Sequence, residues 1–328
     1  FFILRHKSMN KQSIYVYLSI LAIFDSLVLY VGLLRQWLGE ITGSDLRNGN
    51  SWCCKGIVVA GYICSDVSVW LIVAVTVERY IVVCHPLRAS YFCQEVRAKK
   101  VVLAIILLFI LINFHLFFSV DVQKHADNAN GIYELKCDPN PGFEYLVSFV
   151  WPWVDALLYG FGPFVLISIL NVVILAKICT ANSLRIRLLD GQRPAQTDNH
   201  SSTDSGNVRM TVMLLTVSFT FLLTTLPMNI SNIVASIWFN TPSNSNQTRS
   251  KGILFGTLAS LLMYLNHSIN FLLYCATGRK FRQVATRMLW IKIRRRKRPA
   301  TDHSNHIFCS RLTATETRRS INSAETQL

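Results

Sequence analysis

The residues of this chain that could do chemistry are ionisable groups set inside long apolar runs. Asp25, which follows Leu21 and Ala22, and Arg35 lie within one run, Asp66, Glu78 and Arg79 in the next, and Asp155 interrupts another. A charge at the centre of a hydrocarbon layer costs about 3 kcal/mol on insertion scales, so each must pair within protein, reach the headgroups or hold a cation. That is the chemistry of charge pairing, ion binding and recognition. Nothing indicates an enzyme, because no nucleophile, base and orienting group occur at informative spacing. The nine cysteines include no CxxC pair and no His/Cys cluster at metal-ligand spacing.

The elements that position these groups are membrane spans. The chain is 51% hydrophobic and 16% charged, with a mean hydropathy of +0.34, too apolar for an ordinary soluble domain. From Gly56 to Val83 nearly every residue is apolar or small, ample to cross about 30 Å of hydrocarbon at about 1.5 Å per residue. Further spans are predicted over Ser13–Leu38, Ala98–Val120, Tyr145–Ile178, Val208–Phe239 and Ile253–Ala276. Phe1–Leu4, ahead of Arg5, His6 and Lys7, reads as the end of an earlier helix, with an extracellular tail expected before it. The net charge of +15 is gathered in short connections such as Arg88–Lys100 and in the tail, which fits the positive-inside rule and argues against nucleic acid as a partner. Polar loops are expected at Gly39–Trp52, Asp121–Glu144, Leu184–Gly206 and Asn240–Arg249, the last holding a glycosylation sequon at Asn246. Gly278–Leu289 reads as an amphipathic helix on the inner leaflet, Ile291–Arg298 as a lipid-seeking basic run, and the chain from Ala300 as disordered. The domain reading is therefore a bundle with its juxtamembrane helix over 1–289 and a cytoplasmic tail over 290–328.

Several motifs then stand in a telling order. A cysteine pair, Cys53 and Cys54, opens the central span, which closes with Glu78, Arg79, Tyr80, then His85, Pro86 and Leu87. Leu-Ala-x-x-Asp ends at Asp25; Pro163 and Asn171 mark one later span, Phe221 and Pro227 another, and Asn270 precedes Tyr274 by four residues with Phe271 between. In this order the chain resembles the rhodopsin-like (class A) G-protein-coupled receptors. The Thr225-Leu226-Pro227 variant is most similar to invertebrate neuropeptide receptors of the FMRFamide type. The resemblance departs at Asn171, Thr225 and Phe271, where the family usually has Tyr, Trp and Pro, and in the span over Ala98–Val120, which lacks the usual Trp and Pro.

The resemblance implies an all-α seven-helix bundle, with most of the first helix missing, in the plasma membrane and with a cytoplasmic C-terminus. It implies a disulfide between Cys54 and Cys137, with Cys53 as the alternative partner, and a switch formed by Glu78, Arg79, Tyr80, Pro86, Leu87, Asn171, Phe221, Pro227 and Tyr274. Arg79 is expected to pair with Glu78 at rest and to release it when the sixth helix swings out. An allosteric sodium site is implied at Asp25, Ser68, Asn266 and Asn270, the alternative being a protonated, hydrogen-bonded Asp25; no other cofactor is expected. Gly61 stands where amine receptors carry Asp, which favours a peptide ligand. Helical periodicity turns Arg35, Asp155, Asn229 and Asn232 toward the cavity, with Asp66 deeper. Two uncompensated carboxylates favour a cationic ligand, an alternative for Asp66 being protonation and hydrogen bonding. Expected partners are an extracellular peptide, a heterotrimeric G protein, membrane lipid, and arrestin and receptor kinases at the tail. A non-peptide ligand is the first alternative and a polytopic transporter the second.

Overall fold

Once a backbone enters hydrocarbon it must close its hydrogen bonds within its own segment, and helices do this. The computed structural model describes residues 13–126, 133–190, 201–238 and 246–277. The expected features at Phe1–Leu4, Gly278–Leu289, Ile291–Arg298 and beyond Ala300 lie outside them.

Helix α1 runs over Ile14–Thr42, with a π-helical stretch at Leu29–Leu34. It stops at Gly43, whose φ of 69° is open to glycine and strained for other residues. The span was expected to end at Leu38, but the outer turn continues. Helix α2, Ser51–Cys84, is the central span; Asn50 caps it by accepting from the Cys53 amide at 2.7 Å. Pro86 opens the short helix α3, Pro86–Phe92, so the expected connection Arg88–Lys100 is largely helical. Pro is at home in a first turn, where its missing N–H costs nothing. Helix α4, Glu95–Ser119, is followed by strands β1 (Val120–Ala126) and β2 (Tyr133–Pro139), which pair antiparallel with Val122 opposite Cys137. Sequence reasoning took this segment for an irregular loop.

Helix α5 covers 146–190 and is π-helical at Leu146–Val150 and Ala156–Phe161. Helix α6 is Ser201–Trp238 and α7 is Asn246–Thr277. The linker expected at Leu184–Gly206 is therefore helical at both ends, as its Leu and Arg residues permit. The Asn246 sequon sits at a helix start instead of in a loop. Among the described residues five helices are long and apolar enough to cross a membrane, α1, α2, α4, α5 and the 250–270 part of α7. The apolar stretch of α6 is the shorter Leu215–Ser231, diluted by Thr224, Thr225 and Asn229.

The helices pack as an all-α bundle around α2, which touches α1, α4, α5 and α6. Its core holds Val67, Val69, Leu71 and Ile72, joined by Leu18, Leu21, Phe109, Ile167, Ile174 and Phe221. Outward faces carry exposed Leu103, Leu107, Leu111, Val172 and Leu223, as expected where lipid is the solvent.

The π stretch in α5 has a direct cause and a direct repair. Gly162 N–H bonds to the Leu157 carbonyl five residues back, and in that register the Leu158 carbonyl would look to the amide of residue 163, a proline with no N–H. The indole Nε1 of Trp70 on α2 donates to Leu158 O at 2.9 Å instead. Trp70→Phe keeps the ring and orphans that carbonyl, so it should destabilise the detergent-solubilised protein by about 1–3 kcal/mol. In a Pro163→Ala background, where an amide is restored, the same substitution should cost clearly less in thermal unfolding.

Candidate functional site

At the outer end of the bundle, α1, α2, α5, α7 and the hairpin enclose a cavity of about 440 Å³, lined by Arg35, Arg47, Tyr62, Asp155, Tyr159 and Tyr264 among others. Gly32 lets Tyr264 lie against α1, since a Cβ there would come within 2.7 Å of the Tyr264 ring. Arg35 and Asp155 thus line the cavity as the periodicity predicted. Arg47, which sequence reasoning passed over, joins them from the loop after α1.

Asp45 receives both guanidinium groups, Arg35 Nη1 at 2.5 Å and Arg47 Nη2 at 2.8 Å. Partial burial pushes the Asp45 carboxyl up, but the hydrogen bonds from Arg47 and Arg35 outweigh it and hold it down at about 2. Two cations on one carboxylate leave a net positive charge at the cavity wall. Below, the hairpin is fixed to α2 by the Cys54–Cys137 disulfide, with Cα atoms 5.5 Å apart. Cys53 stays free. Lys55 Nζ meets Asp121 Oδ2 at 2.8 Å, and Asn48 Oδ1 accepts from the Cys137 amide at 3.0 Å. The hydrogen bond from Lys55, aided by Ser51, keeps the Asp121 carboxyl at about 2. Both carboxylates are depressed, so what their pairs contribute to stability is fully present above the ordinary carboxylate range and is lost only as pH falls toward 2.

Two expected cavity residues are placed elsewhere. Asp66 faces α4, where its Oδ2 accepts from Asn113 Nδ2 at 2.9 Å, and it does not line the cavity. Its partner in the bundle is an amide on the neighbouring helix. Asn229 is buried against α5 at Gly160, where even a Cβ would come within 2.3 Å of its Oδ1. The side chain of Asn232 lies outside the described residues.

In the middle of the bundle Asp25 is almost fully buried. Its Oδ1 accepts from Ser68 Oγ at 2.6 Å and faces His267 Nδ1 at 2.8 Å, while Oδ2 accepts from Asn270 Nδ2 at 2.7 Å. Of the four residues expected around a cation, three are thus brought together. Asn266, though buried, makes no side-chain hydrogen bond among the described residues; His267, on the same helical face as Asn270, stands at the carboxylate. Sequence reasoning gave His267 no role.

At the inner end Arg79 is buried and Glu78 Oε1 lies 3.7 Å from its Nη2. The expected pairing is present but long, and Ser13 Oγ, just ahead of α1, donates to the same Oε1 at 2.6 Å. The Tyr80 hydroxyl lies 3.4 Å from His85 Nε2. Thr76 Oγ1 reaches Ser218 Oγ at 3.2 Å, linking α2 to α6. Asn171 and Phe221 are buried, Pro227 lies inside α6, and Leu87 projects almost fully exposed from α3. The side chain of Tyr274 lies outside the described residues.

Gly160→Ala should destabilise the protein by about 1–3 kcal/mol through the clash with Asn229. Adding Asn229→Ala should recover most of the loss, read as a double-mutant cycle in thermal unfolding.

Comparison with known proteins places this geometry in context. Residues 1–274 match the family described as 7 transmembrane receptor (rhodopsin family). The chain is similar to the FMRFamide receptor of Drosophila melanogaster, 25% identical over 227 residues that cover 68% of this chain and 37% of that receptor. It is also similar to the thyrotropin-releasing hormone receptor of Homo sapiens, 26% identical over 301 residues that cover 87% and 71%. An FMRFamide peptide receptor of Caenorhabditis elegans is 25% identical over 292 residues, 86% of this chain and 63% of that one.

Proposed function

The chain belongs to the rhodopsin family of seven-transmembrane receptors, and from that premise we propose that it is a receptor for an extracellular neuropeptide that signals to a heterotrimeric G protein. The observation that carries the peptide reading is the charge layout of the outer cavity. Asp155 stands on α5, and the Arg35 and Arg47 pair, sharing one carboxylate, stands on α1 and its loop. A cavity with a fixed acid on one wall and surplus positive charge on another suits a short chain offering a cationic side chain and carbonyl or acidic groups together. Gly61 lines the same cavity, where a Cβ would meet Val31 Cγ1 at an ordinary 3.9 Å, and α2 offers no carboxylate to an amine there. The relatives named for FMRFamide and thyrotropin-releasing hormone support this class of ligand.

In this reading the ligand is a short amidated peptide containing Arg, with Asp155 as its main charged contact. Binding favours the state in which α6 swings out on Pro227, and a ligand does so only to the extent that it binds that state more tightly. Arg79, released from a resting contact with Glu78 that is already long, then meets the G protein. In α6 the stretch Gly206, Asn207, Val208, Arg209 carries no acid, the nearest before it being Asp204 in the first turn, so a weak resting lock and some basal activity are expected. The plasma membrane location, cytoplasmic C-terminus and engagement of arrestin and receptor kinases by the tail belong to the same proposal.

A peptide library screened on cells expressing the full-length receptor identifies the ligand. Asp155→Asn should then lower its potency about 10- to 100-fold, the loss of one charge-assisted hydrogen bond of about 1.5–3 kcal/mol. A ligand without positive charge, or potency unchanged within about threefold, about 0.7 kcal/mol, refutes the contact. Arg79→Ala should keep peptide binding and lose stimulated nucleotide exchange on the G protein.

A further inference from the structure

The four residues that the family resemblance assigns to an allosteric sodium ion do not form a site for one. Sodium is held by oxygen lone pairs directed at a common point, whereas here the groups around Asp25 are donors. Ser68 gives its hydroxyl hydrogen to Oδ1 at 2.6 Å, and Asn270 turns its Nδ2 to Oδ2 at 2.7 Å. The carboxamide of Asn266 makes no hydrogen bond among the described residues. The carboxylate is also met by the imidazole of His267, whose Nδ1 is 2.8 Å from Oδ1 and 3.4 Å from Ser68 Oγ. The His267 side chain is fully buried and that of Asp25 nearly so. At 2.8 Å a ring nitrogen and a carboxylate oxygen must have a hydrogen between them, because two bare acceptors would repel. Each oxygen of Asp25 therefore faces a hydrogen carried by the protein.

We propose that the His267 ring permanently occupies the cation position beside Asp25, making this receptor indifferent to sodium. The hydrogen shared by His267 and Asp25 does what the metal ion would do there: it makes a buried carboxylate tolerable and ties α1 to α7, while the Ser68 hydroxyl joins α2 to the same oxygen. The mid-bundle state is then set by the chain's own side chain and not by extracellular salt.

Thermal unfolding of the purified full-length protein, titrated with sodium chloride against choline chloride at equal concentration, tests this without the peptide. A bound ion raises the unfolding temperature in a saturable way. The expected result is coincident curves for wild type. His267→Ser shortens the side chain and adds a hydroxyl oxygen, and should acquire a saturable, sodium-specific rise that a further Asp25→Asn removes. A saturable sodium-specific rise in wild type overturns the proposal, as does a folded His267→Ser protein with no sodium response. Should His267→Ser fail to fold, the wild-type titration decides alone. Because no readout involves ligand or G protein, the outcome is independent of the function proposed above.

Discussion

A polar atom inside the bundle has no water to turn to, and its partner must come from another helix or from its own preceding turn. This constraint shapes the interior more than any single apolar contact. Asp25 gathers Ser68 from α2 and His267 and Asn270 from α7. Asp66 takes Asn113 from α4, Glu78 takes Ser13 from just ahead of α1, and Thr76 meets Ser218 of α6. Each bond is a point contact between two helices whose remaining surfaces are Leu, Ile and Val, which pack in many ways. Dispersion and shape bring the helices together; these few polar contacts choose the register in which they rest.

The outer end obeys a different rule, because water reaches it. There the chain uses a disulfide, a two-stranded hairpin and a row of ion pairs. An exposed ion pair contributes little alone, and an isolated two-stranded hairpin is marginal. Joined through Cys54–Cys137 and Lys55–Asp121 to a helix already anchored in the membrane, the hairpin becomes a fixed wall. The Arg35, Asp45 and Arg47 cluster does the same for the loop after α1.

How much of this the sequence disclosed depends on whether the signal was local. Apolar runs located the helices, since length and hydropathy are properties of one segment. The pair Cys54 and Cys137 and the lining roles of Arg35 and Asp155 were also legible. For Asp66 the sequence left two readings open, a deep cavity carboxylate or a hydrogen-bonded one, and could not name its neutral amide partner 47 residues away on another helix. His267 lies three residues before Asn270, on one helical face, so its approach to Asp25 could have been read from the spacing; family likeness directed attention to Asn266 instead. Asn229 depended on the absence of a side chain at Gly160, a fact about another helix. The hairpin was hidden by a composition of turn formers, although Val120 and Val122 alternate with polar residues as a strand does.

The π-helical stretches bear on how such a receptor changes over time. A π turn accommodates one residue more than the α geometry around it, and everything beyond it is rotated by about 100°. In α1 the stretch Leu29–Leu34 falls between Asp25 and Arg35, and in α5 two such stretches bracket Asp155. Loss or gain of a single residue there would rephase the cavity-facing end of a helix while leaving its inner half where it was. The groups that recognise a ligand and those that report its arrival are therefore separated by a mechanical clutch, and the former can be redealt by a one-codon insertion or deletion without disturbing the latter.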